Sequence, residues 1–331
     1  MPTLPKPRLR RTPRGFVDPH PTLPSTEPKF EVAEREALRW INVERPGPVD
    51  LQWLREEFDF HPLDHEDVAS RNQRPKIDVY PDYLFIVLYF PVFDKTVGRL
   101  NAGELDIFIG PDYLITIPNT PLKPVEYLFE RCRESAEVRE ELLSKGTGYL
   151  LYRIVDDCFD YCFPMLRKMS NKLDRIEQEI FEGRSDEVVR DISNAKQEII
   201  NFRKIIRPQR TVLGDLESHK QRYLAPDMDI YFNDTEDASE RIWDMLENAK
   251  EVIEALEDTN ESVLSHRVND VLRVLTTFSV LLLPLTLIAS IFGMNVAVPG
   301  EGSLTAFWVI IGGLVAVFGG LLTFFRHRGW L

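Results

Sequence analysis

Two stretches near the C-terminus break the pattern of the rest of the chain. Residues 274–293 and 304–325 carry no charged side chain over 20 and 22 positions. As helices, each is long enough to cross a hydrocarbon core of about 30 Å. Upstream, apolar residues come in shorter groupings. Tyr83–Phe93 is too short for a span and rich in aromatic and β-branched residues, which predicts a buried strand. Leu38–Val43, Leu105–Ile109 and Tyr113–Ile117 read as further strands, the last two joined by a turn at Gly110-Pro111-Asp112. Pro48 and Asp50 open a helix to about Phe58, and His61-Pro62-Leu63 starts a second short one. From about Pro124 the pattern is helical. Gly146–Gly183 and Asp186–Ile206 read as long amphipathic helices, with interruptions at Pro208 and Leu224–Asp229. Ile242, Leu246, Ala249, Ile253 and Leu256 then recur at spacings of 4 and 3 with no Gly or Pro before Pro284. One helix from Asn233 to Ser290 would be about 87 Å long.

The expected fold is therefore an α+β domain, a mixed sheet with flanking helices, followed by a very long stalk helix that continues into a two-helix transmembrane domain. The expected boundaries are a disordered basic, Pro-rich tail over 1–30, an α+β domain with a helical hairpin over 31–232, and a stalk over 233–270. A first span over 271–293, a loop over 294–303, a second span over 304–325 and a basic end over 326–331 follow. The N-terminus lacks the apolar region of a secretory signal, and prolines at 2, 5, 7, 13, 19 and 21 work against an amphipathic helix there.

Charge adds direction. The net charge of −13 argues against a nucleic-acid partner and favours cations. Arg267, Arg273, Arg326 and Arg328 flank the two spans, whereas the loop between them has no basic residue and a single charge, Glu301. The positive-inside rule then places both termini in the cytoplasm and the loop outside, in a multi-pass protein of the cell membrane. Cys132, Cys158 and Cys162 show no metal-ligand spacing and read as reduced buried thiols. No Walker-type loop, nucleophile motif or metal-hydrolase spacing is present, which argues against an enzyme and against ATP-driven transport.

Two spans cannot enclose an aqueous path, so conduction would need several copies around an axis. Asn269, Leu272, Thr276, Ser279, Leu283, Thr286, Ser290 and Gly293 follow one another at spacings of 3 and 4 and so share one helical stripe. Hydroxyls and amides can hold the water shell of a cation, and leucine rings can close a path by dewetting. With no carboxylate in the span, a hydrated ion such as Mg²⁺ is the better match. Gly312, Ala316 and Gly320 form a small-residue face expected to set the second span against the first, outside the pore. From Asp234 to Glu261, eleven acids stand against Arg241 and Lys250, a surface that would concentrate cations.

Phe292-Gly293-Met294-Asn295 directly after the first span, and the C-terminal Gly329-Trp330-Leu331, resemble the CorA magnesium transporter family. So do Trp40-Ile41-Asn42, His61-Pro62-Leu63, Glu66-Asp67, Gln73-Arg74-Pro75-Lys76 and Tyr231-Phe232-Asn233-Asp234, so that the likeness covers about residues 38 to 331. The resemblance implies a funnel-shaped homopentamer in the lipid bilayer that passes Mg²⁺, with Co²⁺ and Ni²⁺ as further ions. It makes Gly293, Met294 and Asn295 the selectivity filter, with Asn295 the ligand of the hydrated ion. It makes Asn269 and Thr286 polar rings, and Leu272, Leu275 and Leu283 the hydrophobic constriction. Leu275 is one position off the stripe of the spacing argument. Glu66, Asp67, Asp156 and Asp234 become regulatory Mg²⁺ ligands between subunits, closing the channel when the ion is bound. The chain departs from the family in having Phe292 where tyrosine is usual, and Val298-Pro299-Gly300-Glu301 in place of Met-Pro-Glu-Leu, which leaves Glu301 as the outer charge. The related ZntB-like branch, with proton-coupled Zn²⁺ transport, is the alternative; His61 and His65 are the one close histidine pair for such an ion.

Overall fold

The structure is a computed structural model, which describes residues 27–70, 73–94, 96, 98–182, 185–218, 228–294 and 303–328. Most of the expected N-terminal tail lies outside them. Two compact units divide the chain: residues 1–165 with 201–244, and residues 166–200 with 245–331.

The first unit is built on a six-stranded mixed sheet of β1 (Glu31–Arg35), β2 (Leu38–Asn42), β3 (Lys76–Val79), β4 (Leu84–Asp94), β5 (Arg99–Ile109) and β6 (Tyr113–Pro118), in the spatial order β1-β2-β6-β5-β4-β3. The β2–β6 pair is parallel and the others are antiparallel. Strands β4 and β5 lie inside the sheet with helices on both faces, which is why Leu84–Phe90 reads as a continuous apolar run. One face carries Phe85, Val87, Phe108, Ile115 and Ile117, packed with Leu54 of α1 (Pro48–Glu57) and Val68 of α2 (Pro62–Ser70). Phe108 stacks between Phe60 at 4.0 Å and Phe85 at 4.6 Å. The other face meets α3 (Lys123–Glu134) and α5 (Thr147–Asp160), with the short α4 (Ala136–Leu143) between them in the chain. There Trp40 meets Phe129 edge-on at 4.9 Å, and Phe90 meets Phe159 at 5.4 Å.

Several boundaries differ from the sequence expectation. The edge strands β1 and β3 carry no strong apolar period: β1 buries only Ala33, and β3 has four residues. Short, charged edges are how sheets avoid pairing with other chains. The helix expected over 146–183 is two, α5 and α6 (Cys162–Glu182), with the break at Tyr161. Pro164 has no N–H to give to the carbonyl of Asp160, so the ladder stops there. Conversely, Pro208 does not end its helix. Helix α7 runs from Ser185 to Ser218 with the proline exposed. Ile205, Ile206, Val212 and Leu213 are buried on either side of it. Gln209, also buried, accepts from the Tyr89 backbone N–H at 3.0 Å, so packing holds the helix through the missing bond.

Helix α8 (Asp229–Phe292) has 64 residues, starts in the first unit and ends in the second. Within the second unit it is joined to α7 by Lys196–Glu257 at 2.5 Å, and α7 to α6 by Lys172–Glu198 at 3.1 Å. Helix α9 (Leu304–His327) completes that unit, started by Ser303, whose hydroxyl accepts from the Ala306 N–H. The last part of α8 and all of α9 are long and apolar enough to cross a membrane, and the chain itself covers almost none of either apolar stretch.

Phe108→Ala is expected to lower the unfolding free energy by about 3–5 kcal/mol, because the ring is removed from between two others and the sheet cannot close over the gap. Denaturant unfolding followed by tryptophan fluorescence measures it; an unchanged midpoint would mean that this face is not the core of the unit.

Candidate ion path and acidic sites

In the apolar part of α8, the less exposed positions are Thr277, Leu281, Pro284, Leu285 and Ile288. All eight expected lining residues, Asn269, Leu272, Leu275, Thr276, Ser279, Leu283, Thr286 and Ser290, are exposed. At 100° per residue, the mean directions of these two sets are about 165° apart. Leu275 falls about 60° from the axis of the stripe, so the spacing argument and the family likeness describe one face of the helix.

The hydroxyl chemistry on that face is specific. Thr276 donates to the Leu272 carbonyl at 2.7 Å, Ser279 to Leu275 at 2.9 Å and Thr286 to Leu282 at 2.8 Å. Each proton is therefore used on the helix backbone, and the oxygen is left with outward lone pairs. Such a surface accepts hydrogen bonds, and the water shell of a cation donates them. Gly293 ends the helix, its N–H reaching the carbonyls of Ala289 at 3.0 Å and Ser290 at 3.2 Å; Met294 next to it is exposed. Asn295 and Glu301 lie outside the described residues.

The second span corrects one expectation. Gly312, Ala316 and Gly320 are exposed, and a Cβ added at either glycine would meet nothing within 4 Å. The less exposed positions of α9 include instead Ala306, Ile310, Leu314, Leu321 and Phe325. Mostly larger side chains, with Ala306 and Gly319, thus lie on the less exposed side of this helix, and the face of Gly312, Ala316 and Gly320 stays open within one chain.

The four expected regulatory acids fall into two places. Glu66 and Asp67 are on α2, Glu66 exposed and Asp67 half-buried. Asp156 on α5 and Asp234 on α8 are brought together: Tyr152 donates its hydroxyl to Asp234 Oδ2 at 3.3 Å, and Asp234 is among the charges acting on Asp156. Arg153 pairs with Asp156 at 2.8 Å and with Asp157 at 2.9 Å. Burial, then the neighbouring Asp160, pushes the Asp156 carboxyl up to about 6 despite Arg153, with Asp157 and Asp234 adding to the rise. These acids offer oxygen donors alone, the set a hard divalent ion requires, and such an ion would relieve their mutual repulsion.

A second acidic group was not anticipated. Asp64, Asp67 and Asp78 gather around Lys76, with the buried Asp106 on the same sheet face. The signal available was Asp106 itself, a carboxylate inside the apolar run Leu105–Ile109. All three cysteines are free and buried.

The profile of the CorA-like Mg²⁺ transporter protein family matches residues 35–327. The chain belongs to the CorA family. It is similar to the cobalt/magnesium transport protein CorA of Thermotoga maritima, 29% identical over 299 residues that cover 88% of this chain and 83% of that protein. Its fold matches the complete structure of the CorA magnesium transporter from Methanocaldococcus jannaschii with a TM-score of 0.79 at 21% identity, covering 90% and 93% of the two chains. The ZntB cytoplasmic domain from Vibrio parahaemolyticus shares the fold over 70% of this chain and 90% of that domain, with a TM-score of 0.60 at 15% identity. CorA membership makes this a divalent-cation transporter with a mixed-sheet domain, a long helix and two apolar helices.

A carboxyl at about 6 in the folded chain and 3.8 unfolded binds its proton more tightly when folded. Its contribution to stability is complete below the unfolded value and is lost as pH rises through about 6. Asp156→Asn is therefore expected to stabilise the metal-free protein at about pH 7.5 relative to about pH 4.5, by about 1–3 kcal/mol. Unfolding at the two pH values tests this; an equal effect at both would exclude the proposed environment of Asp156.

Proposed function

We propose that the chain is one subunit of a homopentameric channel that admits Mg²⁺ through a pore lined by α8 and closes when Mg²⁺ binds on the cytoplasmic side. The observation that carries the reading is the pair of opposed faces on α8: the covered side is apolar but for Thr277, and the other presents hydroxyl oxygens whose protons are already used. That side is chemically suited to a hydrated ion rather than to lipid. Asn295, at the mouth, recognises the ion through its water shell, with Gly293 and Met294 shaping the turn. Leu272, Leu275 and Leu283 form the closing rings. Glu301 attracts cations outside, and both termini lie in the cytoplasm. The membrane potential drives entry: a divalent ion gains about 4.6 kcal/mol per 100 mV. Co²⁺ and Ni²⁺ share the path.

Regulation rests on repulsion. Acids of neighbouring subunits, Glu66 and Asp67 on one side and Asp156 and Asp234 on the other, hold the ring together when Mg²⁺ lies between them and push it apart when it leaves. On this reading Tyr152 orients Asp234, and Arg153 keeps Asp156 and Asp157 in place.

Asn295→Ala is expected to abolish Mg²⁺ flux into liposomes while the assembled mass stays that of a pentamer; undiminished flux would remove Asn295 from the filter. Proton-coupled Zn²⁺ flux without Mg²⁺ flux from the parent protein would replace the main reading with the ZntB-like one. Asp234→Lys is expected to leave flux intact but to shift its inhibition by internal Mg²⁺ to higher concentration, by about tenfold or more given the charge reversal at a ligand. An unchanged inhibition curve would take Asp234 out of regulation.

A further inference from the structure

The acidic group beneath α2 lies within one chain and has its own logic. Carboxylate oxygens of Asp64, Asp67 and Asp78 lie within 4.8 Å of one another. The Lys76 ammonium sits among them, donating to Asp67 Oδ2 at 2.5 Å and to Asp78. Asp64 is fully buried and oriented by two tyrosines: Tyr80 donates to one oxygen at 3.0 Å and Tyr83 to the other at 2.7 Å. Each oxygen keeps a further lone pair. The side chains of Asp67, Lys76 and Asp78 are 17, 30 and 35% exposed, so an ion can enter from solvent.

Asp106 points to what the site does. It is completely buried, and neither of its oxygens has a hydrogen-bond partner. Antiparallel pairing sets Lys76 opposite Val87 and Val87 opposite Asp106, so the three side chains share a row on the face that α2 covers. Two strand spacings, about 9.6 Å, separate the first from the last, within the joint reach of a lysine and an aspartate. Burial, then the charge of Glu104 two residues away on the same strand face, pushes the Asp106 carboxyl well above the ordinary range; Asp67 adds to the rise and Lys76 opposes it. A buried acid whose oxygens have no hydrogen-bond partner thus lies two strands along the row from an ammonium that two other acids already share.

We propose that Asp64, Asp67 and Asp78 form a divalent-cation site within each chain, taking Mg²⁺ or Mn²⁺, and that Lys76 is its exchangeable counterion, moving its ammonium to Asp106 when the ion enters. The donors are all oxygen, as these hard ions require. Around an octahedral Mg²⁺ adjacent oxygens lie about 2.9 Å apart and opposite ones about 4.2 Å, so the three oxygens, now within 4.8 Å of one another about an ammonium, draw together when it leaves. With Asp106 protonated, Asp64, Asp67 and Asp78 against Lys76 leave two negative charges; with the ion bound, and the Asp106 proton released to solvent as the ammonium arrives, the group leaves one. Asp67 is shared with the proposed inter-subunit site, but Asp64, Asp78, Lys76 and Asp106 are not, and the inference does not rest on that reading.

The test uses the full chain in detergent carrying Asp156→Asn and Asp234→Asn, with Mn²⁺ binding read by electron paramagnetic resonance and Mg²⁺ as competitor. One Mn²⁺ per chain, displaced by Mg²⁺, is expected to remain. Asp78→Asn, at a partly exposed position, is expected to weaken it by about tenfold or more, and Asp64→Asn likewise. Lys76→Met is expected to tighten it by about tenfold, because the competing ammonium is gone. Asp106→Asn is expected to weaken binding when Lys76 is present and to have no effect in the Lys76→Met protein. Binding unaltered by Asp78→Asn in a protein whose metal-free melting is unchanged would overturn the site; binding unaltered by Lys76→Met would overturn the exchange. Loss of Mg²⁺ inhibition in the Asp156 and Asp234 variants bears on the inter-subunit reading alone.

Discussion

Repulsion between carboxylates held close together at low exposure governs much of this molecule. At 4 Å and an effective dielectric constant of 20, two like charges cost about 4 kcal/mol. Such groups gather around Arg153, with Asp156, Asp157 and Asp234, and around Lys76, with Asp64, Asp67 and Asp78. In both places one basic side chain serves several acids. The residual charge is eased by protons: Asp156 and Asp106 hold theirs above the ordinary carboxylate range, burial being the main cause in each, and on the proposed readings a divalent ion takes over that neutralising role in each group. On the proposed reading, a fold under that constraint responds to the ion it transports without a dedicated sensor domain.

The parts legible in the sequence were those that a one-dimensional period reports. Leu84–Phe90 announced a doubly covered strand because every position is apolar, and the hydroxyl stripe of α8 was visible because an unbroken helix converts spacing directly into direction. Where tertiary contacts decide, the pattern misled. Pro208 is a breaker by its own chemistry, yet Gln209 and its buried neighbours keep α7 whole. Gly312, Ala316 and Gly320 have the spacing of a packing face, yet the covered side of α9 is the one bearing Leu314 and Phe325. The group of Asp64, Lys76, Asp78 and Asp106 could not be assembled from spacing at all, because two steps of strand register bring Lys76 and Asp106 into one row across thirty positions of sequence.

On the proposed reading, the two apolar helices are what make a single chain an incomplete object. Lipid is as apolar as leucine, so the exposed valines and leucines of α8 and α9 need no protein partner there. The hydroxyl face does. An oxygen whose proton already bonds to the backbone can still accept from water, and hydrocarbon offers it nothing. Three such oxygens on one face of α8, opposite its covered side, therefore favour a surrounding that supplies donors. Two helices cannot enclose that surrounding, whereas several copies turned with this face inward can fill it with water. On the proposed reading the open small-residue face of α9 then needs no polar partner, because glycine and alanine sit as readily against lipid as against another helix, and the polar chemistry of α8 alone sets which way each subunit turns.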